Sequence, residues 1–171
     1  MNEDSKNEVI GLIRELFTDT ELNESVQLIR AAFQTVADQL SLTPENAPTN
    51  PAFITLDKLK EAKEKGVQMF GLFQSDHQQA GFIALEKAGD GLYYIERLAV
   101  RPAFRHRGYG KRLLDFAFQY VKDAGGIGVS IAIIDENTVL KRWYQAYGFI
   151  ETGCKTFEHL PFTVCFMRKE A

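Results

Sequence analysis

Long apolar runs are missing from this 171-residue chain, and no stretch approaches the roughly 20 consecutive apolar residues that span a bilayer. The polar opening Met1-Asn2-Glu3-Asp4-Ser5 has neither the charged start nor the apolar centre of a secretion signal, so a cytoplasmic protein is expected. A basic excess is missing too. Lys and Arg number 20 against 23 Asp and Glu, and the formal net charge of −3 disfavours a general nucleic-acid binder. Cysteine is scarce: Cys154 and Cys165 show neither metal-motif spacing nor a C-x-x-C redox pair, so no metal is expected. A hairpin turn centred between His159 and Leu160 sets the two cysteines opposite each other across a ladder, close enough for a disulfide. A reducing compartment favours two free, packing thiols there. Proline crowds into one place, Pro44, Pro48 and Pro51, which marks a loop. Repeats and low-complexity segments are absent, and the expectation is one domain over residues 1–171.

What is present is a regular alternation of element signals, with 13 Phe to fill a core. Val9 to Phe17 reads as a strand. Leu22, Val26, Ile29, Ala32, Phe33, Val36 and Leu40 then recur at helical spacing, and a short helix capped by Thr55 runs to Lys65. Gln68 to Gln74, Ala80 to Glu86 and Leu92 to Val100 read as an antiparallel meander. Gly110 to Ala124 is a helix, stopped by Gly125-Gly126 and buried through Leu113, Leu114, Ala117, Val121 and Ala124. Val129 to Ile134 is apolar enough for a strand covered on both faces. A helix over Thr138 to Tyr147 and strands near Phe149 to Phe157 and Phe162 to Arg168 complete the chain.

The densest chemistry sits at Arg105-His106-Arg107-Gly108-Tyr109-Gly110, between a strand and a helix. Glycines at a helix N-terminus let backbone N–H groups close on an anion, and Arg101, Arg105, Arg107, Lys111 and Arg112 surround that mouth. A magnesium-binding P-loop is excluded, because Arg112 stands where its Ser or Thr belongs. A dinucleotide fingerprint is disfavoured, because Leu113 replaces its third glycine. A general phosphate-ligand binder is disfavoured on the same two grounds.

R-x-x-G-x-G, with Ile95-Glu96-Arg97-Leu98-Ala99-Val100-Arg101-Pro102 before it and Asn137 and Tyr144-Gln145-Ala146-Tyr147-Gly148-Phe149 after it, resembles the GNAT superfamily of acyl-CoA-dependent N-acetyltransferases. The resemblance covers nearly the whole chain. It implies an α/β GNAT fold, a mixed central sheet of about seven strands splayed between the fourth and fifth and flanked by four helices. Acetyl-CoA is the implied cosubstrate, with no metal. Leu98, Ala99 and Val100 then pair with the pantetheine arm through their backbone. The N–H groups of Arg107, Gly108, Tyr109, Gly110 and Lys111 hold the pyrophosphate, with Arg105 and Arg107 as charged partners. Asn137 bonds the pantetheine amide, caps the last helix, or does both.

By the same resemblance, Tyr144 is the general acid at the thioester sulfur and Glu96 the base, against packing and a solvated ion pair as their ordinary alternatives. Glu96 shares a face with Leu98 if the strand alternates strictly, and a bulge would re-aim either. The acceptor site falls to Leu42–Ala52 and the final hairpin, where Glu158 or His159 would orient an amine. The implied activity is acetyl transfer to a primary amine of a small molecule or peptide. A protein N-terminal or lysine acetyltransferase is an alternative, and a non-catalytic CoA-binding sensor is another. A homodimer is left open, with Phe116, Phe118 and Phe166 as interface or core aromatics.

Overall fold

The computed structural model describes residues 11–171; Val9 and Ile10 of the expected first strand lie outside them. Its elements are β1 (Leu12–Glu15), α1 (Asp19–Gln39), α2 (Leu56–Glu64), β2 (Gln68–Phe73), β3 (Gln79–Lys87), β4 (Leu92–Val100), α3 (Tyr109–Asp123), β5 (Gly128–Ile134), α4 (Thr138–Tyr147), β6 (Ile150–Thr156) and β7 (Thr163–Glu170). This is the expected order. The strands form one seven-stranded sheet in the order β1-β2-β3-β4-β5-β7-β6. Every neighbouring pair is antiparallel except β4 and β5, which are joined through the α3 crossover.

Local chemistry explains the helix ends. Thr18 and Glu21 form a reciprocal capping box at the start of α1, Thr55 caps α2, and the left-handed Gly148 terminates α4. The helices divide between the two faces of the sheet. Leu113, Leu114, Ala117 and Val121 of α3 and Tyr144 of α4 pack on one face with Tyr93, Ile95, Val129, Ile131 and Cys165. Leu22, Val26 and Ile29 of α1 and Leu59 of α2 pack on the other with Met69, Phe82 and Ala84. Ala124, expected on the buried side of α3, is exposed at its end instead.

One expectation about β5 is overturned. Val129, Ile131 and Ile133 are buried, but Ala132 is exposed and Ser130 and Ile134 are half-buried. The strand is therefore covered on one face, because α1 and α2 lie mainly over β1 to β4 and stop short of β5. The expected facing of the cysteines does hold: Cys154 is directly paired with Cys165, and both thiols are free.

Candidate active site

Strands β4 and β5 pair only at Leu92–Gly128, Tyr93–Val129 and Tyr94–Ser130, after which they part. On its other edge β4 stays paired with β3 as far as Val100. The Arg101 N–H donates to the Ala80 carbonyl, so alternation turns the backbone groups of Ala99 to β3, and Leu98 and Val100 carry the ladder groups that face an open wedge, with no strand among the described residues to receive them. An extended ligand entering the wedge meets what an incoming strand would meet.

At the end of β4 the chain makes a single helical turn at Pro102–Phe104 and enters α3. His106 and Gly108 both have positive φ, 63° and 79°, which points successive amides in one direction. Gly108 is the N-cap of α3 and makes no side-chain capping bond, unlike the caps of α1, α2 and α4. The N–H groups of Arg107, Gly108, Tyr109, Gly110 and Lys111 donate to no acceptor among the described residues. An uncapped helix start with a glycine lip is a ready anion site. A Cβ on Gly110 would stand 3.1 Å and 3.3 Å from the Trp143 ring and 4.0 Å from Val100. Gly110 thus lets α3, α4 and the end of β4 meet at one point.

The basic residues divide sharply by role. Arg105 donates to the Ala32 carbonyl at 2.7 Å and to Thr35 at 3.3 Å, so it fastens the turn to α1. Arg101 reaches the Gln79 carbonyl, and Arg112 reaches the Gly11 carbonyl. Lys111 is paired with Asp115 at 2.7 Å on the helix surface. Arg107 is exposed, rests over the Phe104 ring, and has no acidic partner among the described residues. It is the guanidinium best placed to meet an anion. Arg105→Ala is expected to lower stability by about 1–2 kcal/mol through the lost charge-assisted bonds, read by urea unfolding.

On α4, the Asn137 side-chain oxygen accepts from the Leu140 N–H, so the residue is the N-cap. Its amide NH2 donates to nothing among the described residues, which leaves that group for a ligand carbonyl. The Tyr144 ring is buried between Trp143 and Phe149, with centroids at 4.9 Å and 5.3 Å. Its hydroxyl has no hydrogen-bond partner among the described residues, and burial pushes its pKa up. The group is a neutral donor awaiting an acceptor. Tyr147, in contrast, spends its hydroxyl on Asp115 at 2.7 Å and packs on Phe118 and Phe149.

Glu96 sits at a β-bulge. Ala84 pairs with Arg97 and Leu85 with Ile95, so Glu96 is the extra residue. The bulge reverses the alternation: Tyr93 and Ile95 face the α3 core, and Leu98 and Val100 return to it two and four positions after the extra residue. Strict alternation is thereby ruled out, and Glu96 does not share a face with Leu98. It turns instead toward Glu86 on β3, which follows Phe82 and Ala84 on the α1 side of the sheet. A hydrogen bond shared with Glu86, then desolvation and the Glu86 charge, push the Glu96 carboxyl up to about 7, against a smaller pull from Arg97. Sequence reading missed Glu86; the meander register pairs it with Tyr94, and Glu96, two residues on, keeps the face of Tyr94 while the bulge re-aims Leu98.

Glu158 and His159 are exposed in the β6–β7 turn, with the His159 ring edge-on to Phe157 at 5.7 Å. The same turn supplies Phe162, which packs with Leu42, Ala47, Ala52, Phe53 and Ile134. The proline-rich loop and the final hairpin therefore close together over the end of β5.

The family model described as the acetyltransferase (GNAT) family matches residues 27–149. Among solved structures, the fold is similar to that of the ribosomal-protein-S18-alanine N-acetyltransferase from Escherichia coli, with a TM-score of 0.73 at 16% identity over 94% of this chain and 93% of that one. It is equally similar to the PaiA N-acetyltransferase from Thermoplasma acidophilum in complex with coenzyme A, with a TM-score of 0.73 at 19% identity over 94% and 99% of the two chains.

Proposed function

The chain belongs to the acetyltransferase (GNAT) family, and from that premise we propose that it transfers an acetyl group from acetyl-CoA to a primary amine of a small molecule or peptide by direct attack in a ternary complex. The observation that carries this reading is the open wedge between β4 and β5 beside the uncapped start of α3. A pantetheine arm is an extended chain with amide groups, suited to the free ladder positions of Leu98 and Val100, with Ala99 between them. A pyrophosphate suits the five free N–H groups and Arg107. The structural relative from Thermoplasma acidophilum is described with coenzyme A bound, which favours the same ligand here.

The reaction asks for three things from the protein. The thioester must be held extended, which the wedge does by backbone pairing. The acceptor must lose a proton, and Glu96 is the base, its carboxyl near 7 through Glu86 and so half-ionised at neutral pH. The amine nitrogen then bonds to the acetyl carbon as the carbon–sulfur bond breaks. The departing thiolate takes the Tyr144 proton, the amine proton passes to Glu96, directly or through water, and an equivalent proton returns from solvent to Tyr144 as Glu96 releases its own. The closed packing of Phe162 on the proline-rich loop favours a small or chain-end amine over a lysine on a folded protein surface. Glu158 and His159 stand at the rim of that entrance, where a cationic acceptor would first meet the protein.

Gly108→Ala tests the donor side. A Cβ there meets open space, but the residue must hold φ of 79°, which costs an L-residue about 1–2 kcal/mol. The expected result is a KM for acetyl-CoA raised about tenfold with kcat nearly unchanged, measured by thiol release at varied donor concentration. The reading itself is tested with a panel of amines and acetyl-CoA. Release of free CoA on at least one amine supports it; tight CoA binding with no turnover on any amine favours a sensor.

A further inference from the structure

A second cluster lies on the α4 side of the sheet, beyond the wedge. Asp135 follows β5, Glu151 and Cys154 lie on β6, Cys165 lies on β7, and Lys141 of α4 reaches into the group. One ligand atom from each of Asp135, Glu151, Cys154 and Cys165 lies within 4.8 Å of all the others. Cys154 Sγ is 2.8 Å from Glu151 Oε1 and 3.7 Å from Asp135 Oδ1. Cys165 is fully buried, and the hydrogen bond its thiol makes, to the Phe166 carbonyl, is long at 3.9 Å. The cluster already holds a cation of its own: Lys141 Nζ is 2.5 Å from Asp135 Oδ1 and 3.0 Å from Glu151 Oε2.

We propose that Asp135, Glu151, Cys154 and Cys165 form a site for a zinc-class divalent cation, which takes the place of the Lys141 ammonium and ties the edge strand β6 to the end of β5. A tetrahedral zinc has sulfur at about 2.3 Å and oxygen at about 2.0–2.2 Å, so its donors stand roughly 3.3–3.8 Å apart. The widest-spaced donors need to close by about 1–1.5 Å and the Cys154–Glu151 pair to open by about half an ångström or more, within reach of side-chain torsions. Two thiolates and two carboxylates neutralise the ion and leave two negative charges over, which the solvent exposure of Cys154 and Glu151 screens. On binding, each thiol releases its proton to solvent. Paired thiolates select borderline-soft ions over magnesium or calcium. A disulfide would use the two sulfurs alone and leave the carboxylates with Lys141; the divalent ion uses all four donors. With four protein ligands the site is closed, so its role is structural, independent of the acetyl transfer proposed above.

The test is a titration of the reduced full-length protein with Co2+ as the zinc stand-in. The expected result is a one-to-one complex with a thiolate-to-cobalt charge-transfer band and the intense visible bands of a tetrahedral site. Zn2+ is expected to displace the cobalt and to raise the unfolding temperature. Cys154 is exposed, so Cys154→Ser folds, and it is expected to lose the charge-transfer band of a two-thiolate site and at least tenfold in affinity. Lys141→Met removes the competing ammonium and is expected to bind Co2+ more tightly than wild type. A wild-type protein with no charge-transfer band overturns the proposal, as does an unchanged band in Cys154→Ser. Weaker binding in Lys141→Met refutes the displacement of the ammonium, and conversion of both thiols to a disulfide in air with no cobalt band refutes the site.

Discussion

Tyr144→Phe is expected to lower kcat by about 10²–10⁴-fold while leaving the KM for acetyl-CoA and the unfolding midpoint close to wild type. The asymmetry follows from where the hydroxyl stands. The ring supplies the packing, against Trp143, Phe149 and the α3 core, and phenylalanine keeps that ring. The hydroxyl bonds to nothing among the described residues, so its loss breaks no stabilising contact. A merely structural tyrosine would show the opposite pattern, an altered midpoint and intact turnover. Steady-state thiol release paired with urea unfolding separates the two, and an unchanged kcat would remove Tyr144 from the chemistry. The neighbouring hydroxyl is a built-in control. Tyr147→Phe breaks the bond to Asp115 and is expected to change stability slightly and turnover little.

Much of this site was legible in the chain because it is written in backbone chemistry at fixed spacing. Gly108 and Gly110 announce a helix start that no side chain caps, and Asn137 announces a cap. The order of elements followed from periodicity, and the Cys154–Cys165 pairing followed from the length of the turn. Four things were not legible, each for a physical reason. The role of Arg105 depends on α1, about 70 residues earlier, whose Ala32 carbonyl gives no sequence signal. The exposure of Ala132 depends on α1 and α2 stopping short of β5, which hydropathy cannot register. The face of Leu98 relative to Glu96 depends on a single inserted residue in β4, and one position decides which face every later side chain takes. Asp135, Glu151, Cys154 and Cys165 come from three separate strands or strand ends, so no spacing rule finds them together.

The bulge leads to the second large effect, on pH dependence. With Glu96 near 7, kcat/KM is expected to fall on the acid side with a limb near that value, because the base must be ionised to accept a proton. Glu96→Gln is expected to remove that limb and to slow turnover by about 10²-fold or more. Glu86→Gln makes the sharper test. It removes the charge opposing ionisation and offers an amide N–H to the Glu96 carboxylate, so the limb should move to lower pH with the activity retained above it. The sign on stability is the reverse of the sign on rate. A carboxyl raised in the folded state favours folding when protonated; that contribution is complete below the unfolded value near ~4.3 and is lost as pH rises through about 7. Glu96→Gln should therefore be more stable than wild type at pH ~8 and similar to it at pH ~4, while slower at pH ~8, where the wild-type base is ionised. The acceptor amine contributes a limb of its own, near ~8 for an α-amine and near ~10.4 for a lysine-type amine. Because Glu86→Gln moves the Glu96 limb alone, the limb that stays fixed reports the class of amine the enzyme acetylates. Two fixed limbs in Glu86→Gln would mean that Glu96 does not titrate in catalysis, and the base would then have to be sought elsewhere.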